Sequence, residues 1–182
     1  MNKIVAIAGM PGAGKSMASN VACEMGYHMY SMGDVVRGEA KRLGLEATPA
    51  NLGMIALELR QKNGPSVIAR MLAESLMKDD SDTVVVEGVR SMDEVREFQR
   101  HFKVSIIAVI CSQQIRYQRL NARGRSDDPK DIVEFNERDE REIRLGISQV
   151  INSADRHVSN EADEKTFRRR IRRVLKELAS AG

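Results

Sequence analysis

Residues 9–16 read Gly9-Met10-Pro11-Gly12-Ala13-Gly14-Lys15-Ser16, a glycine-rich segment that ends in a lysine and a hydroxyl residue. The apolar run Lys3–Ala8 stands before it, and residues 15–25 after it carry their apolar side chains at helical spacing. The segment is therefore predicted to be a turn between a buried strand and a helix. Glycine suits such a turn because it adopts backbone conformations that a β-carbon would block.

The segment matches every fixed position of the P-loop pattern G-x-x-x-x-G-K-[ST]. Such a loop aims consecutive backbone N–H groups at phosphate oxygens, and the following helix adds the positive end of its dipole. Lys15 is expected to contact the β- and γ-phosphates, and the Ser16 hydroxyl to ligate Mg²⁺. The sequence thus predicts a site for ATP with Mg²⁺, formed by Gly9, Met10, Pro11, Gly12, Ala13, Gly14, Lys15 and Ser16.

The composition is that of one soluble domain: 182 residues, of which 42% are hydrophobic and 30% charged. The net charge is only +3 and there is no tryptophan, so a small anionic ligand is expected rather than a nucleic acid. No apolar run is long enough for a membrane span. Cys23 and Cys111 lie far apart, which favours a reducing, cytoplasmic setting and a role for both as small core residues.

Apolar runs alternate with helical patterns along the chain. Strands are predicted at residues 3–8, 28–31, 83–87, 104–111 and 156–159, and helices at 15–25, 92–102 and 167–178. Right-handed β-α-β units follow from this alternation, and hence an α/β fold with a three-layer, doubly wound parallel sheet. Residues 34–77 interrupt it as a helical insert with turn signals at Gly44 and Gly64. No linker or repeat divides residues 1–182, so a single domain is expected.

The length and the helical insert favour a small-molecule kinase, and no N-K-x-D segment of a guanine-specific GTPase is present. The segment Ser31-Met32-Gly33-Asp34-Val35-Val36-Arg37 resembles the S/T-x-G-D-x-x-R segment of adenylate kinases. In that family it opens the helices that bind the acceptor monophosphate. The resemblance implies that Gly33, Asp34 and Arg37 bind the acceptor, with the planar guanidinium gripping its phosphate.

A second segment, Val84-Val85-Val86-Glu87-Gly88-Val89-Arg90, resembles the hydrophobic-D-G-F-P-R strand of the same family. The resemblance implies that Glu87 orients Mg²⁺-bound water, that Gly88 lets the acceptor approach the backbone, and that Arg90 is a second arginine on the acceptor phosphate. This chain has Glu in place of the family's Asp and one residue fewer before the arginine, so the identity of the acceptor stays open.

The lid of adenylate kinases is matched by two short segments. Arg119-Leu120-Asn121-Ala122-Arg123 has the R-x-x-x-R spacing of the helix that enters the lid, and Arg125-Ser126-Asp127-Asp128 resembles the R-x-D-D at its exit. A short lid at about residues 119–130 is implied, with Arg119, Arg123 and Arg125 as catalytic residues on the transferring phosphates. Arg138 or Arg141 could add a further arginine, although residues 134–144 are expected to be mainly a solvated helix face.

A last segment, Ala154-Asp155-Arg156-His157-Val158-Ser159-Asn160, resembles the loop that lies over the adenine in dephospho-CoA kinases. His157 is expected to be a structural strand residue. Together these segments identify the chain as similar to the archaeal-type, adenylate-kinase-related P-loop kinases that are described as dephospho-CoA-kinase-like.

The resemblance implies an ATP-dependent phosphotransferase that acts on a nucleoside monophosphate such as AMP or on another nucleotide-like compound. A dephospho-CoA-type kinase is an alternative, in which Asp34 or Glu87 would be the base for a hydroxyl acceptor. A nucleotide-sensing regulatory protein that binds ATP or AMP is an alternative of another class. An RNA-associated role would use the arginines at 168–173, which more simply form the wet face of an amphipathic helix. The sequence does not define the oligomeric state.

Overall fold

The computed structural model of the chain describes residues 2–125 and 128–180. Its centre is a sheet of five parallel strands in the order β2-β3-β1-β4-β5. The strands are β1 (Lys3–Ala8), β2 (His28–Ser31), β3 (Thr83–Glu87), β4 (Lys103–Ile110) and β5 (Arg156–Ser159). The predicted α/β fold with a doubly wound parallel sheet is confirmed, and the strand predicted at residues 104–111 begins and ends one residue earlier.

Helices cover both faces of this sheet. They are α1 (Lys15–Glu24), α2 (Met32–Arg42), α3 (Pro49–Asn63), α4 (Val67–Leu76), α5 (Met92–Gln99), α6 (Gln113–Arg123), α7 (Ile132–Leu145), α8 (Ile147–Asn152) and α9 (Glu164–Ser180). The helix predicted at residues 92–102 ends three residues earlier, and the last helix begins three residues before residue 167. Within residues 2–125 and 128–180, no helix combines the length and apolar character that a bilayer-spanning segment requires.

The central strand β1 shows why the sheet needs two helical layers. Its side chains alternate between the faces, and all of them from Ile4 to Ala8 are buried. Ile4 packs into a core formed with α2, α3, α4, α5 and α8, whereas Val5 packs into a second core formed with α1 and α9. The layers are therefore unequal, and the larger one carries the helical insert.

The register of the sheet brings the two glycine-containing segments together. Ile7 of β1 pairs with Glu87 at the end of β3, so Gly9 and Gly88 both leave the sheet at the same edge. The carboxyl edge of a parallel sheet is where α/β proteins form ligand sites. This register places the P-loop beside the segment that follows β3.

The edge strand β2 leads into residues 31–37 and is fixed by Asp79. The Asp79 carboxylate accepts hydrogen bonds from the backbone N–H of Ser81 (2.8 Å) and the hydroxyl of Tyr30 (2.5 Å), and lies 2.8 Å from Nδ1 of His28. The contacts from Ser81, Tyr30 and His28 hold the Asp79 pKa well below its usual range. A carboxyl group whose pKa is lower in the folded chain stabilises the fold above its ordinary pKa, and this stabilisation is lost as the pH falls.

We therefore expect Asp79→Asn to lower the free energy of unfolding by about 1–3 kcal/mol at pH 7, because the donors of Ser81, Tyr30 and His28 lose a charged acceptor. The deficit should shrink as the pH falls below the ordinary carboxyl pKa. Urea unfolding at pH 7 and at pH 3.5 measures both effects, with Asp80→Asn at the exposed neighbouring carboxylate as the control. Equal stability of wild type and variant at pH 7, or a deficit that grows toward low pH, would contradict this role.

Candidate active site

A cavity of about 490 Å³ lies at the carboxyl edge of the sheet, between the P-loop, the helical insert and helices α6 and α7. Its walls come from segments that are far apart in the chain. The lining residues are Gly9, Pro11, Gly12, Gly14, Lys15, Ser16, Met17, Ser31, Met32, Gly33, Val36, Arg37, Ala56, Arg60, Ile68, Glu87, Gly88, Val89, Arg90, Arg119, Leu120, Arg123, Arg125, Arg138, Glu142 and Ile147.

Most of the candidate residues named from the sequence meet at this cavity. Three of them do not line it: Met10, Ala13 and Asp34. Met10 and Ala13 are residues of the P-loop itself that do not face the cavity. The Asp34 carboxylate pairs with Arg37 at the surface. Of the two further arginines considered, Arg138 lines the cavity and Arg141 does not. Ser126 and Asp127 of the expected lid exit lie outside the described residues.

The glycines of the P-loop are required by close contacts. Gly12 and Gly14 have φ angles of 79° and 108°, in the left-handed region that disfavours other residues. A β-carbon on Gly14 would lie 2.1 Å from Nδ2 of Asn160. The loop is therefore packed tightly against the segment that follows β5.

Lys15 curls back over the loop that precedes it. Its ammonium group donates hydrogen bonds to the carbonyl oxygens of Gly9 (2.7 Å) and Met10 (3.2 Å). Burial lowers its pKa to about 8, and the charges of Arg90 and Arg138 also lower it, while those of Glu142 and Glu87 oppose the change. Below that pKa the ammonium group keeps its charge, which suits it to a polyphosphate.

The start of α1 adds to this electrostatic character. Gly14 is the N-terminal cap of the helix, no side chain caps it, and no acidic residue lies in the first turn. The first backbone N–H groups of a helix then carry its positive dipole end toward the loop. The arrangement can bind an anion by its backbone and by Lys15 together.

Two buried side chains hold the P-loop from behind. Asn160 is 3% exposed and donates from Nδ2 to the carbonyl oxygen of Ala13 (2.8 Å). Arg116 donates from Nη1 to the carbonyl oxygen of Pro11 (3.1 Å) and forms a two-bond ion pair with Asp139 of α7, at 2.9 and 2.5 Å. The aromatic ring of Phe135 lies 5.1 Å from the same guanidinium.

The Arg116–Asp139 pair corrects the interpretation of residues 134–144. Phe135 and Asp139 are buried, and Arg138 and Glu142 line the cavity, so only part of this helix is the solvated face that was expected. The i, i+4 spacing of Phe135 and Asp139 was the signal that one face is internal. The expectation for Cys23 is also wrong, since its side chain is exposed, whereas Cys111 is half-buried.

On the insert side, Arg37 of α2 is held by Asp34, which accepts from Nε (2.9 Å) and Nη2 (2.5 Å). No sequence motif pointed to Arg60, which reaches the cavity from α3 and pairs with Glu94 at 3.0 Å. Glu94 is 1% exposed and also accepts from the backbone N–H of Arg90 (2.7 Å). Arg60 was missed because its position depends on this distant carboxylate, which no local pattern encodes.

Two residues at the end of β3 and just beyond it face the same cavity. Glu87 accepts a hydrogen bond from the Ser19 hydroxyl (2.6 Å) through Oε2. Gly88 has a φ angle of 89°, and a β-carbon there would lie 3.3 Å from that of Met32. Close packing against α2 therefore already requires a glycine at this position.

The side chains of Arg123, at the end of α6, and Arg138, on α7, approach one carboxylate, that of Asp128. Asp128 forms two hydrogen bonds with the guanidinium of Arg123, accepts from the backbone N–H of Arg125 (3.0 Å), and lies 3.6 Å from Nη1 of Arg138. The hydrogen bond from Arg123 is the main cause that lowers the Asp128 pKa. Arg119 instead donates to the carbonyl oxygen of Asn160 (2.9 Å). Asp128 thus gathers cationic side chains at one rim of the cavity.

Mg²⁺ fits the residues of this cavity as a partner of phosphate rather than of a protein cage. The exposed Ser16 hydroxyl and the Glu87 carboxylate both face it. Within the described parts of the chain, no group of three or more His, Cys, Asp or Glu side chains is arranged to hold a metal. Protein sites for Mg²⁺ on nucleotides often contribute only one or two oxygen ligands, and phosphates and water supply the rest.

Comparison with known proteins gives two family matches. The family model for the AAA domain matches residues 8–136. A UPF0200 protein of Hyperthermus butylicus is 42% identical over 179 residues, covering 98% of this chain and 96% of that protein. A UPF0200 protein of Methanothrix thermoacetophila is 45% identical over 180 residues, covering 97% and 98%.

Solved structures are similar in fold. TT1252 from Thermus thermophilus superposes with a TM-score of 0.64 at 21% identity, covering 97% of this chain and 98% of that one. A shikimate kinase from Acinetobacter baumannii, solved in complex with shikimate, superposes with a TM-score of 0.60 at 12% identity, covering 99% and 94%. The chain therefore has a P-loop kinase-like fold.

The buried pair behind the P-loop generates a prediction. Asp139→Asn removes the charge partner of Arg116, and breaking a buried pair in this way is expected to cost about 3–5 kcal/mol of unfolding free energy. Because Arg116 also holds the Pro11 carbonyl, affinity for ATP should fall as well. Denaturant unfolding and calorimetry measure the two effects, and Glu140→Gln on the exposed side of α7 is the control. A variant within 0.5 kcal/mol of wild type would contradict the assignment.

Proposed function

Because the chain belongs to the UPF0200 protein family and has an AAA domain, we propose that it is an ATP-dependent phosphotransferase for a small nucleotide-like acceptor, such as AMP. One observation supports this function above the others. A single cavity is lined by the P-loop on one side and by Arg37 and Arg90 on the other, with three arginines of the 119–125 segment beside them. Two anionic groups can therefore be bound next to each other.

The donor side would be the P-loop, residues 9–16. Lys15 and the backbone N–H groups at the start of α1 would bind the β- and γ-phosphates of ATP. Ser16 would ligate Mg²⁺ directly and Glu87 through water. When bound, Mg²⁺ would neutralise charge on the phosphates. The chain's own part is to orient them through Lys15 and the backbone N–H groups of the loop.

The acceptor side would be the helical insert at residues 34–77 and the segment after β3. Gly33, Arg37, Gly88 and Arg90 would bind the acceptor phosphate, with Asp34 orienting Arg37. Arg37 pairs with Asp34 and Arg90 with Glu142, so both guanidinium groups already point their donors at an anion that a phosphate would replace.

The 119–130 segment would be a short lid. Arg119, Arg123 and Arg125 would neutralise charge on the phosphoryl group during transfer. In that step an oxygen of the acceptor phosphate forms a bond to the γ-phosphorus while the bond to the β–γ bridging oxygen breaks, and ADP is the leaving group. Such a reaction depends on positioning and charge, and a phosphate acceptor needs no catalytic base.

The position of Asp34 favours a phosphate acceptor over a hydroxyl acceptor of the dephospho-CoA type. A base for a hydroxyl must reach the proton that it removes. Asp34 is exposed, does not line the cavity and is engaged by Arg37. Glu87 would then be the base for a hydroxyl acceptor, and its carboxylate already accepts from Ser19.

The decisive experiment incubates the protein with Mg²⁺, γ-labelled ATP and, in turn, AMP, CMP, UMP and dephospho-CoA. Labelled nucleoside diphosphate is the expected product, and Lys15→Ala should lower its rate at least about 100-fold because the phosphate-binding cation is lost. Lys62→Ala, which removes an exposed lysine paired with Glu58, is the control. Transfer at an unchanged rate in Lys15→Ala would rule out the mechanism. Nucleotide binding without transfer to any acceptor would favour the sensing function instead.

The acceptor site is tested separately by Arg37→Ala. The acceptor KM should rise on the order of tenfold or more, because a charge-assisted, two-bond contact is lost, while the ATP KM stays within about twofold. Arg42→Ala is a matched control: Arg42 lies on the same helix and pairs with Glu39 at the same spacing, but does not line the cavity. A loss of ATP affinity alone would contradict the assignment of Arg37.

A further inference from the structure

Glu142 is a carboxylate in a cavity that is otherwise suited to phosphates. It reaches the cavity from α7, and its side chain is 16% exposed. Among the described lining residues, the only other carboxylate is Glu87. The cationic side chains on the same walls are those of Lys15, Arg37, Arg60, Arg90, Arg119, Arg123, Arg125 and Arg138.

The contact that Glu142 makes is with Arg90. Oε2 of Glu142 lies 3.1 Å from Nε of Arg90. The backbone of Arg90 is fixed independently, because its N–H donates to the buried Glu94. Arg90 therefore stays at the cavity wall whether or not Glu142 holds its side chain.

The helix that carries Glu142 is anchored on two sides. Asp139 is buried on Arg116 behind the P-loop, and Arg138 faces Asp128 at the rim of the cavity. These contacts fix the rotation of α7 and direct Glu142 into the cavity. The Glu142 charge also reaches the P-loop, since it is the foremost of the neighbouring charges that act on the Lys15 pKa.

A guanidinium binds carboxylates and phosphates with the same N–H donors, so the two kinds of anion compete for it. We infer that Glu142 occupies Arg90 in place of the acceptor's anionic group and is exchanged for that group when the acceptor binds, an inference that rests on the proposed role of Arg90 in acceptor binding. Glu142 is then a specificity-determining residue. An anion that contacts only Arg90 must displace the Glu142 carboxylate and makes no other contact that would offset the loss of that ion pair.

The walls beside Arg90 supply what a suitable acceptor would add. Met32, Val36, Ala56 and Ile68 line the insert side of the cavity with apolar surface. An acceptor that carries an apolar ring system as well as its phosphate gains contacts there, which offset the loss of the Arg90–Glu142 pair. Inorganic phosphate gains none of them, so the exchange selects against it.

The test titrates inorganic phosphate into protein that is first saturated with Mg²⁺ and a non-hydrolysable ATP analogue, so that the P-loop is filled. Glu142→Gln keeps the shape of the side chain and removes its charge. Its affinity for phosphate should rise on the order of tenfold over wild type, because the competing anion is gone. Glu140→Gln makes the same charge change on the same helix, where Glu140 faces Arg144, and should change the affinity less than about twofold.

A second pair of proteins separates exchange at Arg90 from a general charge effect. In an Arg90→Gln background, the gain from Glu142→Gln should disappear. A gain of the same size in that background would overturn the inference, and so would unchanged or weaker phosphate binding in Glu142→Gln, or no phosphate binding in either protein. Glu142→Ala should shift affinity in the same direction, which keeps the outcome independent of how one variant folds.

The readout is binding, so it does not depend on turnover. If the wild type transfers phosphoryl groups but Glu142→Gln shows no gain in phosphate affinity, the exchange at Arg90 is contradicted and the kinase function stands. If Glu142→Gln gains phosphate affinity but the protein transfers phosphate to no acceptor, the kinase function is contradicted. The exchange of Glu142 for an anion at Arg90 then stands by itself.

Discussion

The carbonyl oxygens of the P-loop are tied back into the protein, and the rest of the site depends on this constraint. Those of Gly9 and Met10 accept from Lys15, that of Pro11 accepts from Arg116, and that of Ala13 accepts from Asn160. When the carbonyl groups of such a loop are already hydrogen-bonded, its N–H groups can point toward a ligand. Phosphate oxygens accept hydrogen bonds from N–H groups of this kind. Close packing also explains why positions 12 and 14 must be glycine, since a β-carbon on Gly14 would meet the Asn160 side chain and one on Gly12 would lie 2.8 Å from the backbone carbonyl oxygen of Arg116.

The same constraint connects the P-loop to the opposite wall of the cavity. Arg116 reaches from the Pro11 carbonyl to Asp139, which lies in the middle of α7. The residues on either side of that anchor, Arg138 and Glu142, face the cavity. One face of α7 is therefore fixed to the P-loop, and another presents Arg138 and Glu142 to the cavity. A movement of α7 would therefore displace both the P-loop and the wall of the cavity at Arg90, because α7 contacts the loop through Arg116 and Arg90 through Glu142.

Local patterns were sufficient for the P-loop and for every strand, because each depends on residues that are adjacent in the chain. The run Lys3–Ala8 followed by Gly9 already specifies a buried strand and a tight turn. Patterns could not find Arg60 or Glu142, since each acquires its position from a partner at least thirty residues away. The segment that ends in Asn160 was recognised, but not the hydrogen bond of Asn160 to Ala13. The interpretation of residues 134–144 as a solvated face was wrong for the same reason. Whether Asp139 faces water depends on Arg116, which belongs to another helix.

Four arginines that line the cavity, Arg37, Arg60, Arg90 and Arg123, each pair with a carboxylate, and the exposure of those carboxylates separates the pairs into two kinds. Glu94 and Asp128, on Arg60 and Arg123, are only 1% and 2% exposed, so removing their partners would strand a buried charge. Such pairs fix the positions of their arginines, so that Arg60 and Arg123 stay at the cavity wall. Glu142 on Arg90 and Asp34 on Arg37 are 16% and 68% exposed, and water can solvate them once they are released. A cavity that binds anions needs both kinds, because permanent partners keep the cations from repelling one another while exchangeable ones can give up their arginine to a ligand.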